Sequence, residues 1–158
     1  MSMSLSEYAG WFYQRPGVQP LLLELQDSAG ADVLLLLTAC WLGHSKVLPD
    51  AQLWQVLHGR QQPWQQHVIG PLRQVRRTLA GNVDAAELHA QVKACELAAE
   101  WHQLGCLEQH CLQWMRPELA SLADTFQAQL SGCGEAAGDR RLQLLAALAA
   151  GAEVQSTE

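Results

Sequence analysis

The chain has 158 residues, 49% of them apolar and 16% charged, with a formal net charge of −6 at neutral pH. That length suits one domain with a real core, and the balance is globular rather than disordered. The negative charge excludes generic nucleic-acid binding, which needs a basic face to neutralise phosphates.

The chain opens on Ser4-Leu5-Ser6-Glu7, a capping box in which hydroxyl and carboxylate each satisfy a free backbone donor. A helix to about Gln14 follows, with Tyr8, Trp11 and Phe12 as its packing face. Pro16-Gly17 is a turn signal, and Pro20 suits a first helical position. Leu21, Leu22 and Leu25 recur at helical spacing before Gly30, a natural left-handed stop. Asp32 then caps a helix from Val33 to Leu42 that is apolar on nearly every face through Leu37. About 20 apolar residues are needed to span a bilayer. This run is shorter and is broken by Thr38, so it is expected to be the buried central helix, with no membrane span.

Gly43 to Leu48 reads as a connector, and Pro49-Asp50 restarts the helical pattern with Leu53, Trp54 and Leu57. Gly59 to Gln62 reads as a polar break. Pro63 opens a segment, Trp64 to Ile69, that Gly70-Pro71 interrupts or kinks. A fresh helix from Leu72 to Ala80 should turn Leu72, Val75 and Leu79 inward and stop at Gly81-Asn82. Asp84-Ala85-Ala86-Glu87 resembles a second capping box. It opens a candidate for the longest helix, whose stripe is Leu88, Val92, Cys95, Ala99, His102 and Cys106. After Pro117 the stripe Leu119, Leu122, Phe126 and Leu130 predicts another helix. Ser131 to Gly134 is a link, and Arg140 to Ala150 is a last amphipathic stretch. Nothing alternates with period two, and no repeat is evident. The expectation is an all-α single domain over residues 1–150, seven or eight helices around the central one, with a disordered polar tail at 151–158.

Five cysteines (Cys40, Cys95, Cys106, Cys111 and Cys133) lack the spacing of a disulfide framework. The first residues show neither a basic start nor an apolar stretch. A reducing cytoplasm and no signal peptide are expected.

Phe12-Tyr13, Pro16-Gly17-Val18, Leu22, Glu24-Leu25-Gln26-Asp27, Gly30, Asp32-Val33, Trp41-Leu42, Pro71-Leu72-Arg73, Arg76-Arg77 and Glu96-Leu97-Ala98-Ala99-Glu100 form one combined pattern. It resembles a proteobacterial family of small conserved proteins with no assigned function, over roughly residues 8 to 105. In that family's pattern asparagine follows the Asp-Val pair. Here the position is Leu34, so any polar role there is absent. The resemblance implies a cytoplasmic helical protein and supplies no activity.

Four constellations bear on chemistry. Between Asp50 and Asp84 there are no acidic residues, while Arg60, Arg73, Arg76 and Arg77 all fall there. Arg73, Arg76 and Arg77 share one side of a helix, and Glu96 and Glu100, four apart, would repel each other if unpaired. Antiparallel helices joined at Gly81-Asn82 would bring the sets together as an ion-pair lattice; the sharper alternative is an anion-recognition patch. Cys95, His102, Cys106 and His110 recur on one helix, but no second close ligand pair exists and the CxxC signature of structural zinc is missing. A buried cysteine and a hydrogen-bonded core histidine explain them without metal. Cys106 with His102 or His110 supplies the residue types of a nucleophilic pair without the electropositive context. Among the aromatics, Trp54, Trp64 and Trp114 flank glutamine-rich segments, and Trp64 beside the arginines suits a recognition anchor.

No GxGxxG or GxxxxGK loop and no aspartate-rich magnesium motif occurs, so no catalytic residue, cofactor or metal ligand is assigned. The sequence points to a non-catalytic accessory or regulatory module that binds a protein partner, using Arg73, Arg76, Arg77, Glu96, Glu100 and Trp64. The alternative is a small-ligand or anion-binding protein, or an enzyme, with an Arg/Glu pocket between helices. Neither reading involves nucleic acid or membrane, and no oligomeric state follows from the sequence.

Overall fold

A computed structural model describes residues 3–114 and 125–155. Their elements run α1 (Leu5–Tyr13), α2 (Val18–Ala29), α3 (Val33–His44), α4 (Ala51–Trp64), a π-helical turn (Gln65–Ile69), α5 (Gly70–Leu79), a 3₁₀ turn (Val83–Ala85), α6 (Ala86–Trp114), α7 (Phe126–Cys133) and α8 (Arg141–Gln155). Among the described residues there is no strand, and the chain is an all-α single-domain bundle.

Helix α3 decides the architecture. Asp32 starts it as expected, its Oδ1 accepting from the backbone N–H of Leu34 at 3.0 Å and of Leu35 at 3.3 Å. Every residue from Leu34 to Gly43 is buried. Two of its side chains find hydrogen-bond partners: Thr38 Oγ1 donates to Leu34 O within the helix at 2.7 Å, and Trp41 Nε1 donates across to Met3 O, ahead of α1, at 2.9 Å. Each fully buried leucine contributes about 1.5–3 kcal/mol of transfer free energy, which is why one uncharged helix can organise its neighbours. Among the described residues no helix is long and apolar enough to cross a membrane.

Helix α7 crosses α3 so closely that a Cβ on Gly43 would fall 2.9 Å from the Phe126 Cα, and glycine is required there. Thr125 Oγ1 donates to the Gly43 carbonyl at 2.7 Å and fixes the same crossing. Helix α1 carries the capping box, with Glu7 N donating to Ser4 Oγ at 3.1 Å and Ser4 N to Glu7 Oε2 at 2.9 Å. Leu5 N–H donates to Glu108 of α6 at 2.6 Å, tying α1 to the long helix.

Several local expectations are corrected. Helix α2 begins at Val18, so Pro20 lies inside its first turn rather than at its first position. Gly59 to Gln62 is no break: α4 runs through it, and Gln61 is fully buried. Asn82, not Asp84, caps the start of the second half, its Oδ1 accepting from Asp84 N at 3.1 Å ahead of the 3₁₀ turn. Helix α8 continues through Gly151 to Gln155, where a polar tail was expected; residues 156–158 lie outside those described. The helix expected after Pro117 is seen from Phe126 onward, and Leu119 and Leu122 lie outside the described residues.

Helix α6 carries the largest correction. It is the longest helix, but its buried residues are Glu96, Gln103, Leu104, Leu107 and Cys111. The expected stripe is turned away from the core, with Leu88, Cys95 and His102 exposed. The reason lies in the partners: α5 offers arginines, so the face of α6 that meets it is the one bearing glutamates.

Candidate functional site

The two halves of the site are joined by a change in helical phase. Pro71 has no N–H, and its ring would clash with the carbonyl four residues back in a regular helix. The chain answers with the π turn, in which Gly70 N–H reaches back to Gln65 O. A Cβ on Gly70 would sit 2.7 Å from that same oxygen, so glycine is required. The widened turn re-aims everything after it, a known use of π turns.

Helix α5 emerges with no buried residue at all. Its arginine side faces the protein. Arg73 Nε donates to Glu96 Oε1 at 3.0 Å, and Arg73 Nη2 to Glu100 Oε1 at 3.3 Å. Arg76 donates through Nε to Glu96 Oε2 and through Nη2 to Glu96 Oε1 at 3.3 Å. Glu96 is only 6% exposed, so this is a largely desolvated carboxylate held by two guanidinium groups.

The electrostatics follow from that placement. Burial pushes the Glu96 carboxyl up, but the two arginine pairs outweigh it and hold the group below the usual carboxylate range. For Glu100 burial wins over the pull of Arg73, aided by repulsion from Glu96, and its pKa is raised. Arg76 is held above its ordinary value, chiefly by its hydrogen bond to Glu96. Tyr13 is raised by burial and then by the charge of Glu100.

Arg77 does not join this group. Its Nη2 lies 3.3 Å from Asp27 Oδ1 on α2, and both side chains are more than half exposed, a geometry that contributes little. Between α2 and α5 lies an open depression of about 550 Å³ lined by Gln26, Asp27, Arg73 and Arg77. Trp64 also stands apart from the ion pairs. It is half-buried, donates from Nε1 to Ala99 O at 3.1 Å, and packs its ring 5.2 Å from that of His102. The arrangement brings together Arg73, Arg76, Glu96 and Glu100; Arg77 and Trp64 are placed elsewhere.

The opposite flank of α5 is apolar and faces solvent. Pro71, Gln74, Val75, Thr78 and Leu79 line a depression of about 330 Å³, and Val75 is 46% exposed where the sequence had it inward. The exposure continues round the hairpin, with Val83 at 88% and Leu88 at 51%. From Gly70 to Cys95 not one residue is buried. Helical spacing in an antiparallel pair puts the stripe Val75, Leu79 of α5 and the stripe Leu88, Val92, Cys95 of α6 on the same side. Residues 70–95 are therefore a two-helix arm, pinned at its base by the ion pairs, with one apolar face.

Of the remaining sequence candidates, Trp54 resolves as packing, whereas Cys95 and His102 are exposed. Trp54 is buried, donating from Nε1 to Gln129 Oε1 at 3.0 Å. Cys106 Sγ lies 3.7 Å from His102 Nε2, and among the described residues no group of three or more His, Cys, Asp or Glu side chains is placed to hold a metal. Cys111 and Cys133 are pushed up to about 12 by burial, and Cys40 is raised for the same reason, which makes these thiols poor nucleophiles.

Two features were missed. Trp101 is the tryptophan left 40% exposed, and its ring approaches to 3.4 Å the position a Cβ on Gly10 would take. The other is a polar knot at the start of α3. Gln61 Nε2 donates to Asp32 Oδ2 at 2.8 Å, and Asp32 N–H donates to Glu135 Oε2 at 2.7 Å. Glu135 Oε1 lies 3.7 Å from His58 Nδ1, and His58 Nε2 donates to Cys133 O at 2.6 Å. Burial raises the Asp32 pKa, its bonds to Gln61 and the backbone pull it down, and the charge of Glu135 raises it again; the net shift is upward. No sequence spacing announces a contact between residues 32, 61 and 135.

No curated protein and no solved structure matches the chain. The sequence does match, over residues 5–107, the family described as protein of unknown function DUF2390. That span runs from α1 to Leu107 of α6 and so contains the ion pairs and the whole arm. The chain belongs to that family of unknown function.

Proposed function

We propose that this is a cytoplasmic, non-catalytic accessory protein of proteobacteria that works by docking a protein through the arm at residues 70–95. One observation carries the reading: α5 is mounted inside-out. An amphipathic helix of a globular protein normally buries its apolar stripe and leaves charges in water. Here Arg73 and Arg76 are turned inward and paired, while Val75 and Leu79 line a solvent-facing depression. A continuous apolar face of this kind marks an interaction surface. The unpaired cysteines support the cytoplasmic setting, and the Phe12–Trp41 and Pro71–Glu100 motifs support the bacterial one.

The test is affinity purification from the native host with the wild-type chain and with Val75→Asp and Leu88→Asp. Both positions are exposed, so both variants are expected to fold, with helical circular dichroism as the check. The variants should lose whatever protein the wild type retains, another copy of the chain included. Full retention by both variants would sink the reading.

A second reading has its own observation, the open depression lined by Gln26, Asp27, Arg73 and Arg77. Arginines at its wall suit a small carboxylate or phosphate. Arg77→Gln would then abolish binding of inorganic phosphate seen by titration calorimetry. Absence of any heat with the wild-type chain removes this alternative.

A further inference from the structure

We propose that Cys106 is a modification site, a thiol that a hydroperoxide oxidises to sulfenic acid with His102 as the base. This is independent of the docking reading, since neither side chain lies on the arm at residues 70–95.

The five thiols fall into three environments. Cys40, Cys111 and Cys133 are buried, and burial raises all three, so they neither ionise near neutral pH nor meet a reagent. Cys95 is exposed, but it stands two helical turns before His102, about 10 Å along the axis of α6. Cys106 is half-buried, and its Sγ lies 3.7 Å from His102 Nε2, within reach of a weak S–H···N hydrogen bond. Among the described residues it is the accessible thiol with an imidazole beside it.

The imidazole is held in place. Its ring packs 5.2 Å from that of Trp64, and Trp64 is fixed in turn by Nε1 donating to Ala99 O at 3.1 Å. Glu108, the nearest acid in sequence to Cys106, is turned to α1, where its Oε1 accepts from Leu5 N–H at 2.6 Å. His110, one turn beyond Cys106, puts a second imidazole on the same side of the helix. A thiol beside an imidazole base is a general arrangement for an activated cysteine nucleophile.

The chemistry balances on these two groups and the oxidant. His102 Nε2 takes the thiol proton, and the sulfur attacks the outer oxygen of the hydroperoxide. A sulfur–oxygen bond forms as the oxygen–oxygen bond breaks, so sulfur loses two electrons and the peroxide gains them. The imidazolium returns its proton to the departing oxygen, which leaves as water or an alcohol.

The two accessible thiols separate this site from simple exposure. Exposure alone makes Cys95 react first, whereas a neighbouring base puts Cys106 first. The experiment is oxidation of the reduced full chain by hydrogen peroxide at pH 7, with dimedone trapping sulfenic acid and peptide mass spectrometry reading each cysteine. Cys106 should label about tenfold faster than Cys95; the contact of 3.7 Å is long, so this is less than the roughly hundredfold or more of a tightly bonded base. His102→Gln should bring Cys106 down to the Cys95 rate or below with unchanged helical circular dichroism, His102 being exposed. In the wild type the Cys106 advantage should shrink as pH rises past about 8.5, where an ordinary thiol ionises unaided.

Cys95 labelling first, equal rates for the two, or an advantage that survives His102→Gln overturns the site. So does an advantage that stays constant with pH, because a base matters only while the thiol is protonated.

Discussion

Helices α3 and α5 are of similar length and treat their apolar residues in opposite ways. α3 has no charged residue between Val33 and Leu42 and buries Leu34 to Gly43 without exception. α5 has three arginines in ten residues and buries nothing, with its apolar flank outward. Hydrophobicity alone predicts burial for both. What separates them is the surface each is offered: α3 is surrounded by apolar faces of α1, α2, α7 and α8, whereas α5 is offered Glu96, Glu100 and Asp27. Charge pairing, not apolar burial, decides which way α5 faces.

The contrast can be broken most forcefully at α3. Leu36→Ala should lower unfolding free energy by about 2–5 kcal/mol, since Leu36 is fully buried, whereas Leu88→Ala on the arm should stay within about 0.5 kcal/mol. Urea denaturation of the two variants reads the difference directly, and equal costs would mean that the arm is packed after all.

Glu96→Gln tests the clamp. It removes the charge that Arg73 and Arg76 share, and should cost about 1–3 kcal/mol, the range for leaving hydrogen-bonding groups short of a partner. Because the folded pKa of Glu96 is lowered, its contribution is present above the ordinary carboxylate range and is lost as pH falls through the folded value. The wild type and Glu96→Gln should therefore converge in stability in acid. Amide exchange along α5 should accelerate in the variant while exchange in α3 does not, because only the arm hangs on this pair.

Asp32 gives the opposite pH slope. Its folded pKa is raised, so its contribution is greatest in acid and declines as pH rises from the ordinary aspartate value, about 3.9, toward the higher folded one. Asp32→Asn keeps the cap oxygen and removes the buried charge beside Glu135. It should match or exceed the wild type at pH 7, while Asp32→Ala should lose about 1 kcal/mol with the cap. Thermal melts at pH 4 and pH 7 would show it; an Asn variant as unstable as Ala would mean that the charge itself is needed. The smallest effect belongs to Arg77→Ala. Its pair with Asp27 is exposed on both sides and should be worth less than about 0.5 kcal/mol.

Much of the fold was legible because its signals are local. The Ser4–Glu7 capping box, the Gly30 stop, the Asp32 cap and the leucine run each depend on residues a few positions apart, and each appears where the spacing puts it. The meeting of Arg73 and Arg76 with Glu96 and Glu100 was legible too, since one turn at Gly81-Asn82 joins the helices that carry them. The errors share a different origin. Gly59 to Gln62 read as a polar break and Pro63 as the opening of a new segment, yet α4 runs through both, with Gln61 packed against Asp32. The stripe on α6 was correct in period and wrong in direction, because period gives a face without saying what it will meet.

Residue order alone therefore determined the helical class, the central position of α3 and the pairing of arginines with glutamates, all consequences of short-range periodicity and of charge. Only the tertiary structure decided that α5 turns Arg73 and Arg76 inward, that Val75, Val83 and Leu88 stand in water, and that Asp32, Gln61 and Glu135 form one knot. Those outcomes depend on which surfaces arrive from distant parts of the chain. A helix can satisfy its own backbone, but not choose the neighbour against which its side chains are desolvated.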